Sequence, residues 1–335
     1  MIFLTQIDLT ATASGKAILI GEHSVVYGHK AIALALPDVK LNITLYSPEK
    51  SLEVTEWDNA WYTNVRGNAF IPEERVTKLL NKAFAKALML CGVTDSLQLH
   101  SPQKILIESD IPLGGGMGGS AAISTCLLKI ANQIFNLTNK TKLEMSFQQQ
   151  IQYANEIDCL FHFGKASGLD ASTVASNGMI EFTKGELPKY IHNKKEFWLA
   201  LVDTKERGET ANMVKNVAEK LNSQPVQTEN ALNQLGSLAE KSIVALNTGK
   251  LNQLADCLNL AQEYLCEMGV STEKIENIIK KFKSVGAIAA KLTGAGGGGM
   301  VLGLFENYPE NLYSCFEKDS LFITRVPQND ERSPR

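Results

Sequence analysis

Between Gly114 and Gly119, in "GGGMGG", Met117 is the one residue that is not glycine. Glycine loses more backbone freedom on folding than any other residue, so a cluster like this needs a reason, such as positive φ or a ligand close to the backbone. The stretch before it, "KILIESD" (Lys104–Asp110), reads as a strand. The stretch after it, "SAAISTCLLKIANQIF" (Ser120–Phe135), is small and apolar at helical spacing. A strand, a glycine turn and a helix start together offer free N–H groups and the positive end of a helix dipole to an anion. The expectation is a phosphate cradle.

Two familiar phosphate loops do not fit. A Walker A loop needs Gly-x-x-x-x-Gly-Lys-Ser/Thr. Gly15-Lys16 is followed by Ala17, Thr10 stands where the first glycine belongs, and no lysine follows Gly119. A dinucleotide fingerprint needs an acidic residue about 20 positions on, where the chain instead reads "IFNLTNK". A second cluster, "GAGGGG" (Gly294–Gly299), lies between two apolar strands. Taken alone it reads as a tight hairpin or bulge. With one glycine loop expected in each of two lobes, the pair suggests a cleft where both lobes approach one ligand.

The 335 residues are too many for one small domain and suit two lobes. A formal net charge of -3 gives no global field for nucleic acid or membrane, and neither is expected as a partner. No segment approaches 18 uncharged apolar residues, so no membrane span is expected. The N-terminal stretch lacks a basic region and a long apolar run, which predicts no signal peptide. The six cysteines are scattered, and none forms Cys-x-x-Cys. They read as reduced core thiols of a cytoplasmic protein.

Strands and helices alternate in the first half. Strands are expected at Lys40–Tyr46 and Lys104–Asp110, and helices at Glu73–Gly92, Ser120–Phe135 and Leu143–Phe161. A loop, "GKASGLDAS", and a strand in "GMIEFTKG" follow. The polar, basic stretch Lys184–Lys195 marks a boundary, giving domains 1–188 and 189–335. The second half opens with the strand "FWLALVD". Helices are expected at Glu209–Asn222, Glu229–Asn247, Lys250–Met268 and Thr272–Val285, then strands on either side of "GAGGGG", the strand "LFITRV", and a frayed tail "PQNDERSPR". The fold class is α+β.

Three stretches, "ASGKAILIGEHSVVYG" (Ala13–Gly28), "PLGGGMGGSAA" (Pro112–Ala122) and "KLTGAGGGG" (Lys291–Gly299), resemble in order and spacing the three signature motifs of the GHMP kinases. The match spans nearly the whole chain. "GEHSVVYG" resembles the version found in members acting on mevalonate, whereas galactokinases carry Gly-Glu-His-Thr-Asp there. Three positions depart from the pattern. Ser14 replaces a proline, Gly119 stands where a first serine is usual, and Met300 replaces a cysteine.

The resemblance implies an N-terminal lobe like the second domain of ribosomal protein S5, a ferredoxin-like C-terminal lobe and an active site in the cleft between them. It implies ATP-dependent phosphorylation of mevalonate to 5-phosphomevalonate, with Mg²⁺. ATP contacts fall on Pro112, Leu113, Gly114, Gly115, Gly116, Met117, Gly118, Gly119, Ser120, Ala121 and Ala122. By the residues alone Ser120 is open to two readings, a helix N-cap or a Mg²⁺ ligand, and the resemblance favours the metal. The metal carboxylate falls on Asp158, four residues before His162, with Glu156 as the alternative because Phe163 separates His162 from Gly164. Asp170 closes "SGLD" as general base or orienting group, with Lys16 holding it ionised and stabilising alkoxide charge. Lys16, Glu22, His23, Asp170, Thr210 and Gly296 are the substrate candidates. Thr210 reads equally as a helix-start cap, and His23 as a structural histidine. Another kinase of this superfamily or a non-catalytic sensor are the rivals, and a homodimer is left open.

Overall fold

A computed structural model describes residues 8–46, 61–93, 104–162, 164 and 166–329. Phe163 and the tail beyond Asn329 lie outside the described residues. The chain divides into two compact units that interleave in sequence. The first holds Met1–Gly15, Pro37–Leu113 and Gly118–Asn177; the second holds Lys16–Leu36, Gly114–Met117 and Gly178–Arg335. Two long strands, β1 (Leu9–Ile20) and β2 (Ala31–Tyr46), contribute residues to both.

In the first unit β2 pairs antiparallel with β5 (Lys104–Ser109), in register from Leu41↔Ser109 to Tyr46↔Lys104. β5 pairs parallel with β3 (Trp61–Val65), which carries the short antiparallel β4 (Asn68–Phe70). Parallel neighbours need a long crossover, and α1 (Glu74–Leu90) supplies it. α2 (Gly119–Thr138) packs with α1, α3 (Phe147–Phe161) and α4 (Leu169–Ser176). Its buried face includes the small residues Ala121, Ala122 and Ser124. The Cys126 thiol touches the carbonyls of Ala11 and Leu41, and burial pushes its pKa up to about 12.

In the second unit residues Ala31–Leu34 of β2 pair with β6 (Met179–Phe182), which carries β7 (Lys189–Tyr190). A separate antiparallel sheet follows, of β8 (Phe197–Asp203), β9 (Ala289–Thr293), β10 (Met300–Phe305) and β11 (Leu321–Val326). Its order is β11-β8-β10-β9, so the fourth strand lies beside the first, as in a ferredoxin-like lobe. Between β8 and β9 run α5 (Thr210–Ser223), α6 (Pro225–Thr248), α7 (Leu251–Glu267) and α8 (Glu273–Ser284). The helical turn α9 (Leu312–Cys315) precedes β11. Every residue of β9 and β10 is buried, as their near-continuous apolar runs require.

Several expectations need correction. Leu143–Met145 are not helical, because Ser146 and Gln149 form a reciprocal capping box that starts α3 at Phe147. The loop expected from Gly164 to Ser172 turns into α4 at Leu169, with Gly168 at φ +87 as its N-cap. β3 and β4 were not foreseen. The first glycine stretch does not belong to one lobe: Gly114–Met117 go with the unit that holds Gly294–Gly299, and Gly118 and Gly119 with the other. The start of the tail is tied down, since Asn193 donates to Pro327 O at 3.0 Å and Asn329 N–H donates to Asn193 O at 2.9 Å. All six cysteines are free thiols, but only Cys91, Cys126 and Cys257 are buried, Cys159 and Cys315 being half-buried and Cys266 exposed.

Within the second unit the Thr293 hydroxyl takes the place of a strand partner for Ile18. It accepts from Ile18 N–H and donates to Ile18 O, both at 2.9 Å and buried. Thr293→Val keeps the shape and leaves two buried backbone groups unpaired. It should lower unfolding free energy by about 2 kcal/mol or more, seen as a lower urea midpoint at unchanged m-value.

Candidate active site

In the first unit β5 ends in a side-chain turn. The Ser109 hydroxyl accepts from Ile111 N–H at 3.0 Å and donates to Ile111 O at 3.1 Å, which bends the chain toward Pro112 and Leu113. Beside this turn is a cavity of about 250 Å³ lined by Lys40, Asn42, Asn64, Arg66, Gly67, Glu108, Ser109 and Asp110. The Oδ1 of Asn64 is buried there with no hydrogen-bond partner among the described residues.

Gly118, at φ +74, is the N-cap of α2, so the helix starts without a capping side chain. The first N–H groups of a helix have no partner within it, and here they belong to Gly119, Ser120 and Ala121. The cap reading of Ser120 is thereby corrected, since Ser120 is the second helical residue. Its Oγ lies 3.0 Å from Nε2 of His162. Asp158 Oδ1 lies 3.6 Å from that same nitrogen. Both partners meet one ring nitrogen, so this is not a nucleophile–base–orienter relay, which uses both.

Asp158 is 2% exposed, and its Oδ1 has no hydrogen-bond partner among the described residues. A buried carboxylate oxygen without a hydrogen bond and a hydroxyl, both set against the same His162 nitrogen, are hard-oxygen donors that suit Mg²⁺, which takes one or two carboxylates and keeps waters. The residues present therefore fit the metal. Glu156 is placed differently. Lys86 of α1 binds it at 2.8 Å and holds its carboxyl below the usual range. Asp170 sits in the first turn of α4, where the helix dipole favours a carboxylate.

In the second unit Lys16 lies in β1 and is 3% exposed. Its N–H donates to Met117 O at 2.9 Å. The Met117 side chain is buried, so this residue of the glycine stretch offers a ligand only its backbone. Gly21, at φ +107, lies so close to Ala31 that a Cβ would be 2.5 Å from the alanine methyl. The chain turns there into Glu22 and His23. Glu22 forms a fully buried ion pair with Lys291 of β9, whose ammonium also donates to Leu292 O at 2.6 Å. Burial pulls the Lys291 pKa down while Glu22 pulls it up.

His23 sits at φ +60, a conformation rare for a side-chain-bearing residue. Its Nε2 lies 2.9 Å from Ala295 O, so Nε2 carries the proton and donates. Gly296 is packed on Val270, whose carbonyl a Cβ would meet at 2.2 Å. Thr210 is the first residue of α5 and exposed. Glu209 holds the cap position, so the cap reading of Thr210 is corrected. Sequence reasoning gave no role to Lys291, Thr293, His162 or Arg207. Lys291 had a signal, since it breaks an apolar strand just as Lys16 does.

Two outcomes follow from this corner. Lys291→Met strands the buried Glu22 charge and should cost about 3–5 kcal/mol, while Glu22→Leu with Lys291→Met should regain most of it, measured by urea unfolding. His23 has a pKa below the ordinary 6.5, chiefly through burial. Its contribution is complete above 6.5 and is lost as pH falls toward the folded value, because there the unfolded chain binds more protons. His23→Gln should flatten the stability curve between about pH 7 and pH 5.

The sequence pattern of the GHMP kinases N terminal domain matches residues 76–178, and that of the GHMP kinases C terminal domain matches residues 242–319. The mevalonate kinase of Aeropyrum pernix is 29% identical over 94% of both chains. The crystal structure of L. major mevalonate kinase in complex with R-mevalonate has the same fold, with a TM-score of 0.71 at 21% identity, over 95% of this chain and 94% of that one. Streptococcus pneumoniae phosphomevalonate kinase, in complex with phosphomevalonate and AMPPNP, shares the fold too, with a TM-score of 0.70 at 15% identity, over 95% of this chain and 100% of the other. With both domain patterns matched in order over more than half of its length, the chain belongs to the GHMP kinases.

Proposed function

We propose that this chain transfers the γ-phosphoryl group of ATP to the primary hydroxyl of mevalonate, giving 5-phosphomevalonate. The observation that carries the reading is the near full-length match to a mevalonate kinase, 94% of each chain. The Gly21–His23 corner supports it, being built into β9 and the second glycine stretch through Lys291 and Ala295.

The chain's own groups have distinct tasks. Gly114–Gly119 and the first N–H groups of α2 receive the phosphates, in a cradle with no P-loop lysine. Asn42 and Asn64 line the cavity beside β5, and their amides suit the polar edge of a nucleotide base. Ser120 and Asp158 would hold Mg²⁺, which neutralises phosphate charge when bound. Asp170 accepts or orients the acceptor hydroxyl proton, and Lys16 stabilises the oxygen that loses it. His23 and Thr210 bind the acceptor. Glu22, 1% exposed and paired with Lys291, supports His23 from behind. No helix of the described residues is long and apolar enough to cross a membrane. Six free thiols support a cytoplasmic location.

The test is ADP release by the purified chain with Mg²⁺, across mevalonate, phosphomevalonate, galactose and homoserine. Release with mevalonate is expected. Release only with another acceptor moves the assignment within the family, and none with any acceptor leaves a binding protein. Asp170→Asn should lower kcat by about a thousandfold while calorimetric binding of an ATP analogue stays near wild type.

A further inference from the structure

Three consecutive glycines have no side chains to hold a loop shape. Gly114 and Gly116 sit at φ +65 and +79, and each has far more accessible backbone states than the one it holds. Order in this stretch must come from its neighbours. Met117 is tied to the Lys16 N–H. The Gly115 carbonyl lies against Gly299, where a Cβ would be 3.3 Å away. Gly114 is exposed on one side and covered on the other by the stem of Arg207. A Cβ at Gly114 would lie 3.2 Å from Arg207 Cδ and 3.6 Å from its Nε.

Arg207 is itself held. Its Nη1 donates to Asp203 Oδ1 at 2.6 Å and its Nη2 to Oδ2 at 2.8 Å, a two-pronged fork. Nη1 also reaches Glu206 O at 3.3 Å. Asp203 is the last residue of β8, opposite Met300 in the sheet, and its Oδ1 also accepts from Lys205 N–H at 2.8 Å. The segment between them is laced to the second glycine stretch. Thr204 N–H donates to Gly299 O, and Gly299 N–H to Glu206 O, both at 2.9 Å. Gly208 fits against Gly296, whose carbonyl a Cβ would meet at 2.4 Å. The turn after β8 thus touches both glycine stretches of this unit.

We propose that Arg207, forked by Asp203, is a positioning residue that holds Gly114–Gly116 in the shape that receives the triphosphate. This rests on the reading of that stretch as the phosphate cradle. A lysine could not do the same, because only a planar guanidinium meets a carboxylate with two parallel bonds and keeps its stem in place. A partly exposed ion pair adds little to global stability. Its loss therefore appears in nucleotide affinity, where a loop that must be ordered on binding weakens the complex.

The test is calorimetric binding of a non-hydrolysable ATP analogue with Mg²⁺ and no acceptor, to the full chain. Arg207→Ala should raise Kd about tenfold, with the acceptor KM and Tm near wild type. Asp203→Asn should do the same, and the double variant should be no worse than either single one. If Arg207→Ala does not fold, Arg207→Lys keeps stem and charge without the fork, and should raise Kd about threefold. Wild-type affinity in the variant that folds overturns the proposal, as do single effects that add in the double variant. A wild-type chain that binds no analogue overturns the cradle reading and the proposal with it. Binding by wild type with unchanged affinity in the variants overturns the proposal alone.

Discussion

The Gly21–Glu22–His23 corner depends on one interaction, the buried pair of Glu22 and Lys291. Removing an ammonium and a carboxylate from water costs several kcal/mol for each, and their attraction repays this only when geometry and remaining hydrogen bonds are good. Lys291 meets that condition by also bonding Leu292 O. Glu22 meets it with one oxygen, while Oε2 is buried with no hydrogen-bond partner among the described residues. Such a pair adds little net stability, but a mispaired alternative is costly. It therefore selects one position for the corner. β9 is buried at all five residues, so the corner cannot shift without disturbing the sheet.

The glycine stretches follow the same logic with backbone in place of charge. Gly296 and Gly298 combine positive φ with neighbours that leave no room for a Cβ, the nearest atoms being the carbonyls of Val270 at 2.2 Å and Glu206 at 2.6 Å. Such a loop is packed rather than slack. The entropy of ordering it is spent on folding, and N–H groups fixed beforehand bind an anion at lower cost than groups ordered by it. The Asp203–Arg207 fork and the Lys16–Met117 bond extend that order to the first stretch.

Elements with a strong period were legible. β8 matches "FWLALVD" residue for residue, and the four long helices after it fall within a few residues of their expected ends. β3 was missed because "WYTNV" is short and offers only two alternations. α4 was missed because Gly168 and Asp170 are also turn residues, and only packing of Leu169 and Val174 decides for helix. Of the metal candidates, chain spacing left Asp158 and Glu156 open. The structure gives them different surroundings, Asp158 buried beside His162 and Glu156 paired with Lys86. His23 was legible as a candidate, but its bond to Ala295, 272 residues away, was not.

By itself the sequence determined the α+β class, the two glycine stretches, the strand and helix flanking the first, and membership of a kinase family through three motifs in order. Those are local properties, set by period, by glycine's conformational range and by residue type at fixed spacing. Tertiary structure alone decided which glycines share a unit, that Lys291 answers Glu22, that Ser120 faces His162 rather than capping its helix, and that Arg207 covers Gly114. Each joins residues from separate parts of the chain. Partners of that kind are chosen by burial, because a charge or backbone group taken from water must find its complement wherever the fold brings one.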